Sequence, residues 1–211
     1  MILLLLLFSF SLSAMQRVQV FDRQEQELAH LLAHIDLAIT EYKAIKKRID
    51  VSTQFVQLAD AYFNECVSFA ASNQFIDEKL NHSLSELAHE IGFDALMLND
   101  VGVAIKHLSF VVDASKNDKK YFSAVALGRL YLLSNNPKVV KKYLIPVLDS
   151  SHTQCRAAAY FLLGQVYENT KTSKALEYFN QAAYLSDNIK IREQATGSIM
   201  SLIKRVQQLQ S

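Results

Sequence analysis

Three Leu/Ile-Gly pairs, Ile91-Gly92, Leu127-Gly128 and Leu163-Gly164, recur at an interval of 36 residues inside runs whose apolar residues follow the helical period. Self-similarity at such an interval is the mark of stacked structural repeats, and it limits the possible folds more than any other feature of the chain. A glycine inside a helix costs about 1 kcal/mol relative to alanine. Three of only five glycines at one repeating position therefore point to places where helix backbones approach closely. Each copy has Ala88, Ala124 or Tyr160 one turn before its glycine and Ala95, Tyr131 or Tyr167 one turn after it. A second amphipathic run follows, carrying Ala104, Leu108 and Val111, then Val139, Tyr143 and Pro146, then Ala175, Phe179 and Ala182. Ala104, Ala175 and Ala182 are expected to supply the surface facing the glycines.

This succession of a small or large residue, Leu-Gly, Tyr, and then Ala, Phe and Ala resembles the tetratricopeptide repeat. The resemblance implies antiparallel helix pairs stacked as a right-handed superhelix, with a groove lined by the first helix of each pair. The interval from Gly92 to Ala104 is 12 residues, but Gly128 to Val139 and Gly164 to Ala175 are 11, which predicts tighter inner turns in the later copies. Lys116, Ser151 and Asp187 stand where repeats of that family close with proline. Pro146 falls inside a second helix and is expected to kink or end it, because it lacks the backbone donor.

Of the 211 residues half are apolar, and 5 Gly and 2 Pro leave few places to turn a strand, so the fold class is all-α. A net charge of +1 shows no overall preference for nucleic acid or an anionic membrane. Residues 1–14, MILLLLLFSFSLSA, form an apolar run ending in small residues. They fall short of the roughly 20 residues needed to span a bilayer and read as the hydrophobic region of a secretory signal, with membrane contact only if it stays uncleaved. The expected setting is therefore export, to the periplasm or cell envelope in a bacterium. Residues 15–73 read as a helical hairpin, with Asp50 or Ser52 capping its second helix. Residues 74–188 hold the three repeats, and 189–211 a capping helix with Ala195, Ile199, Leu202, Ile203 and Val206 on one face.

The chain has no CxxC, no Walker or dinucleotide glycine loop, no HExxH and no nucleophile elbow, so no cofactor and no enzymatic activity are expected. Cys66 and Cys155 read as small buried hydrophobes. His30 and His34 are one helical turn apart, a spacing at which two imidazoles can hold one metal ion, but no further ligand is identifiable. Glu86, Glu90 and Asp94 read as one exposed helical face.

The groove implied by the resemblance takes its residues from the first helix of each pair. His89, Phe93, Arg129, Phe161, Gln165 and Asn169 are its candidate contacts, beside Glu86, Leu96, Met97, Phe122, Val125, Leu132, Leu133, Ala158 and Glu168. Leu132 and Leu133 are alternatively core. Aromatics with a few donors suit an extended peptide or a helix of another protein. The function expected is an exported scaffold or adaptor. The alternatives are a metal-handling protein or hydrolase using His30 and His34, and a coiled-coil oligomer built on residues 22–72.

Overall fold

The computed structural model describes residues 22–47, 50–75 and 77–210, so the apolar segment 1–14 and its reading as a signal lie outside the described residues. Among the described residues there are nine α-helices, one 3-10 helix and no strand, in agreement with the all-α expectation. The helices are α1 (Asp22–Lys46), α2 (Thr53–Ser72), α3 (Glu78–Met97), α4 (Val101–Ala114), α5 (Lys119–Leu133), α6 (Pro137–Leu144), α7 (Thr153–Tyr167), α8 (Thr172–Leu185) and α9 (Ile189–Gln210). They form two compact units that divide between Lys116 and Asn117, so α1 and α2 belong with the first repeat.

In the first unit α3 pairs with α4, and both α1 and α2 lie against α3. Ser52 caps α2 by accepting from the Phe55 backbone N–H at 3.3 Å. The apolar positions Val56, Ala59, Tyr62, Phe63, Cys66 and Ala70 then step along its buried side. In the second unit α5 pairs with α6, α7 with α8, and α9 closes on α8.

The three glycines mark the seam within each pair, as expected, but alanine is not what faces them. A Cβ on Gly92 would lie 2.9 Å from Leu108, one on Gly128 2.5 Å from Leu144, and one on Gly164 2.6 Å from Phe179. Each glycine is thus a notch that receives a large side chain of the second helix, and Leu108, Leu144 and Phe179 are all fully buried. Burying such a side chain is worth about 1.5–3 kcal/mol, more than the helical cost of the glycine that admits it.

The second copy is shifted by one residue from the sequence expectation. Val140, Leu144 and Val147 are the buried positions, whereas Val139 and Tyr143 are half-buried and Pro146 is exposed. Pro146 does end the helix: α6 stops at Leu144 and the chain continues as a 3-10 helix over Ile145–Asp149.

Nor are the later inner turns tighter. The α3–α4 and α5–α6 turns each place an asparagine, Asn99 or Asn135, in the left-handed region at φ 60° or 52°. The next residue closes the helix by donating its backbone N–H to the carbonyl five residues back, Asp100 to Ala95 at 2.8 Å and Asn136 to Tyr131 at 2.9 Å. Asp100 and Asn136 then cap the following helix by accepting from Val103 and Val139. The third turn, Glu168 to Lys171, is one residue longer and uses no left-handed residue. After each pair the chain straightens at Ser115, Ser150 or Ser186, each buried at a helix C-terminus and one residue before Lys116, Ser151 or Asp187.

The net charge of +1 conceals an asymmetry. Residues 1–116 carry 9 Lys and Arg against 15 Asp and Glu, a net −6, while residues 117–211 carry 13 against 6, a net +7.

Candidate functional site

In the first unit the candidate groove lies on α3, and part of that face is covered by α1. Asp94 is 5 % exposed. It accepts a 2.9 Å hydrogen bond from the Tyr42 hydroxyl, and Lys46 Nζ sits 2.7 Å from its other oxygen. Lys46 also reaches Glu90 at 3.3 Å, and Lys43 lies 3.7 Å from Glu90 and 3.9 Å from Glu86. The carboxylates expected on an open face are therefore a stripe paired with Lys43 and Lys46 at the end of α1. Burial opposes the charged form of Lys46, but its bonds to Asp94 and Glu90 outweigh that and raise its pKa. Burial, then the charge of Asp94, raises the Tyr42 phenol far above its ordinary value, so it remains a donor. Beside this stripe His89 and Phe93 are half-buried, their rings 4.7 Å apart.

In the second unit Arg129 is exposed on α5, and Phe161 and Gln165 are half-buried on α7. Phe161 packs against the cluster of Ala175, Phe179 and Leu202, its ring 5.7 Å from Phe179, so it contributes to the core as well as to the surface. Asn169 accepts from Arg205 of α9 at 3.2 Å, and Glu168 from the same guanidinium at 3.0 Å. The cap helix thus engages two of the candidate groove positions. Leu133 is 81 % exposed and is not core, and Ile203, expected on the buried side of the cap, is 45 % exposed. Ala195 and Leu202 hold that face.

The His30 and His34 rings stack with centroids 6.4 Å apart. Among the described residues no three His, Cys, Asp or Glu side chains are grouped to hold a metal ion. Cys66 and Cys155 are buried and free, one in each unit, and burial pushes their thiols up to about 12 and about 11. Both are protonated at neutral pH, which suits a packing role.

Two polar sites of the first unit were not legible in the sequence. The first is a cleft of about 1100 Å³ lined by residues of α1, the start of α3 and the end of α4, among them Asp36, Asp77, His82, Ser83 and Lys116. Its polar groups are largely committed: Ser83 donates to Asp36 at 2.8 Å, Asp77 caps Leu80 at 2.9 Å, and Lys116 meets Glu78 at 2.9 Å. The second joins α2 to α4. His107 is fully buried with Nε2 2.6 Å from Asp60, which Lys106 also engages, and Asn64 accepts from Lys106. Burial lowers the His107 pKa more than Asp60 raises it, so the ring is neutral at neutral pH, with Nε2–H donating to Asp60 and Nδ1 without a partner among the described residues. No spacing rule connects residues 60 and 107; only the packing of α2 on the first pair brings them together.

No protein-family model matches the chain, and no curated protein matches it.

Proposed function

We propose that the chain is a tetratricopeptide-like scaffold or adaptor that acts by holding a protein or peptide partner, not by catalysis, and that it is exported. The observation that carries this reading is the glycine notch repeated at Gly92, Gly128 and Gly164, each filled by a large residue of the following helix. It makes three helix pairs of one construction, and such pairs present the outer side chains of their first helices as a binding surface. The proposed anchors are of the aromatic and arginine types that dominate protein interfaces: Phe93 of the first unit, with His89 next to it, and Arg129 and Phe161 of the second, with Gln165 and Asn169 as its further contacts.

The test is capture of the partner by the mature chain, followed by affinity measurements on variants. Arg129→Ala is the cleanest, because Arg129 is exposed and its loss leaves the core intact. A loss of about 1–3 kcal/mol of binding with an unchanged melting temperature supports the groove. Unchanged affinity in both Arg129→Ala and Phe93→Ala rejects it.

A further inference from the structure

The second unit carries a lysine-tyrosine surface that the groove reading does not use. On α6, Lys138, Lys141 and Lys142 are spaced to share one side of the helix. Lys142 lies over the Tyr143 ring at 5.2 Å, and Tyr143 stacks on Tyr131 of α5 at 5.8 Å with the planes 10° apart. Lys141 reaches across to the next pair and lies 5.7 Å over Tyr167 of α7. The same ring receives Lys174 of α8 at 4.8 Å, and Lys174 also covers Tyr178 at 5.5 Å. Tyr178 in turn contacts Tyr167 and Tyr160. Lysines and phenol rings therefore form a continuous track across both helix pairs of the unit.

The charge of this track is uncompensated. Among the described residues none of Lys138, Lys141, Lys142, Lys171 and Lys174 is paired with a carboxylate, although the unit's Glu168 and Asp118 are paired elsewhere. Ammonium groups resting on ring faces keep their charge and exchange little hydration for the contact, so they remain available to an anion. In a unit of net +7 that availability is a directed attraction.

We infer that this surface docks an acidic polypeptide segment, rich in Asp and Glu, whose carboxylates take up the lysine ammoniums. A single-stranded nucleic acid needs open aromatic faces on which bases stack. Here those faces are already engaged by one another and by lysine. Carboxylates need only the donors that remain. The inference does not rest on the groove reading, since the two share no residue.

The test uses the full chain and a fluorescein-labelled Glu/Gly/Ser peptide, with the same peptide carrying Gln for Glu as control, followed by anisotropy at low and high salt. The Glu peptide binds and is released by salt, whereas the Gln peptide does not bind. Lys141→Gln with Lys174→Gln weakens binding about tenfold, and Lys138→Gln with Lys142→Gln, at more exposed positions, repeats the effect if the first pair disturbs packing. Lys190→Gln with Lys204→Gln removes the same charge from α9 and leaves the affinity within about twofold. Equal losses in all the pairs would mean diffuse attraction and overturn the site. Tighter binding of oligothymidylate, or of phosphatidylserine-containing vesicles, would replace the acidic peptide by another class of partner. Absence of Glu-peptide binding would reject the surface altogether.

Discussion

Gly164 and Phe179 are fitted to each other: a Cβ on the glycine would lie 2.6 Å from both Cδ1 and Cε1 of the phenylalanine, whose ring is completely buried. Gly164→Ala must displace a ring confined on all sides. It is expected to destabilise the protein by about 1–3 kcal/mol despite the better helix propensity of alanine. Gly197 on α9 has nothing within 4 Å of the same position, so Gly197→Ala should stabilise by about 0.5–1 kcal/mol. Thermal melting of the two variants, shifted in opposite directions, checks both the notch and the register.

Asp94 is the joint between α1 and α3. Asp94→Ala leaves the buried Tyr42 hydroxyl and the Lys46 ammonium without their closest acceptor and is expected to cost about 2–4 kcal/mol. Tyr42→Phe removes one bond and keeps the ring stacked on Phe55, so about 1 kcal/mol is expected. Chemical denaturation of the two variants reads this order, and a larger loss in Tyr42→Phe would place the strength of the joint elsewhere.

The buried His107 makes the first unit sensitive to acid. Its pKa lies below the ordinary 6.5 when folded, so the unfolded chain binds the proton more readily. Stability is therefore full above about pH 6.5 and falls as the pH drops through the folded value. Asp60, held below 3.8 by its bonds to Lys106 and His107 against the opposing effect of burial, adds a second loss at lower pH. His107→Leu should flatten the fall in the window that opens below about pH 6.5 and, by removing one of the bonds that hold Asp60 low, also shrink the acid-most limb. An unchanged melting profile over that window would show that the histidine is not its source.

Phe161 separates surface from core. It packs on Phe179 and Leu202, so Phe161→Ala is expected to lower stability by about 1–3 kcal/mol, whereas Arg129→Ala leaves it within about 0.5 kcal/mol. Circular dichroism melts of the pair distinguish a ligand anchor from a packing residue before any partner is known.

The 36-residue recurrence of glycine was enough to establish helix pairs, their order and their close seams, because a small residue at one helical position records a contact that every copy repeats. The end of α6 ahead of Pro146 and a cap at Asp50 or Ser52 were legible because both are local, depending on a missing donor or on a side-chain acceptor within one turn, and the structure selects Ser52. The one-residue shift at Leu144 was not, since Tyr143 and Leu144 are both apolar and only the notch at Gly128 chooses between them. Long-range side-chain meetings were equally hidden: Asp94 with Tyr42 and Lys46, His107 with Asp60, and Lys141 and Lys174 on one tyrosine. The chain by itself determined which segments are helical and which residues repeat, because those follow from periodicity. Tertiary packing alone decided which charges are neutralised and which stay open, because that depends on which helix lies across another.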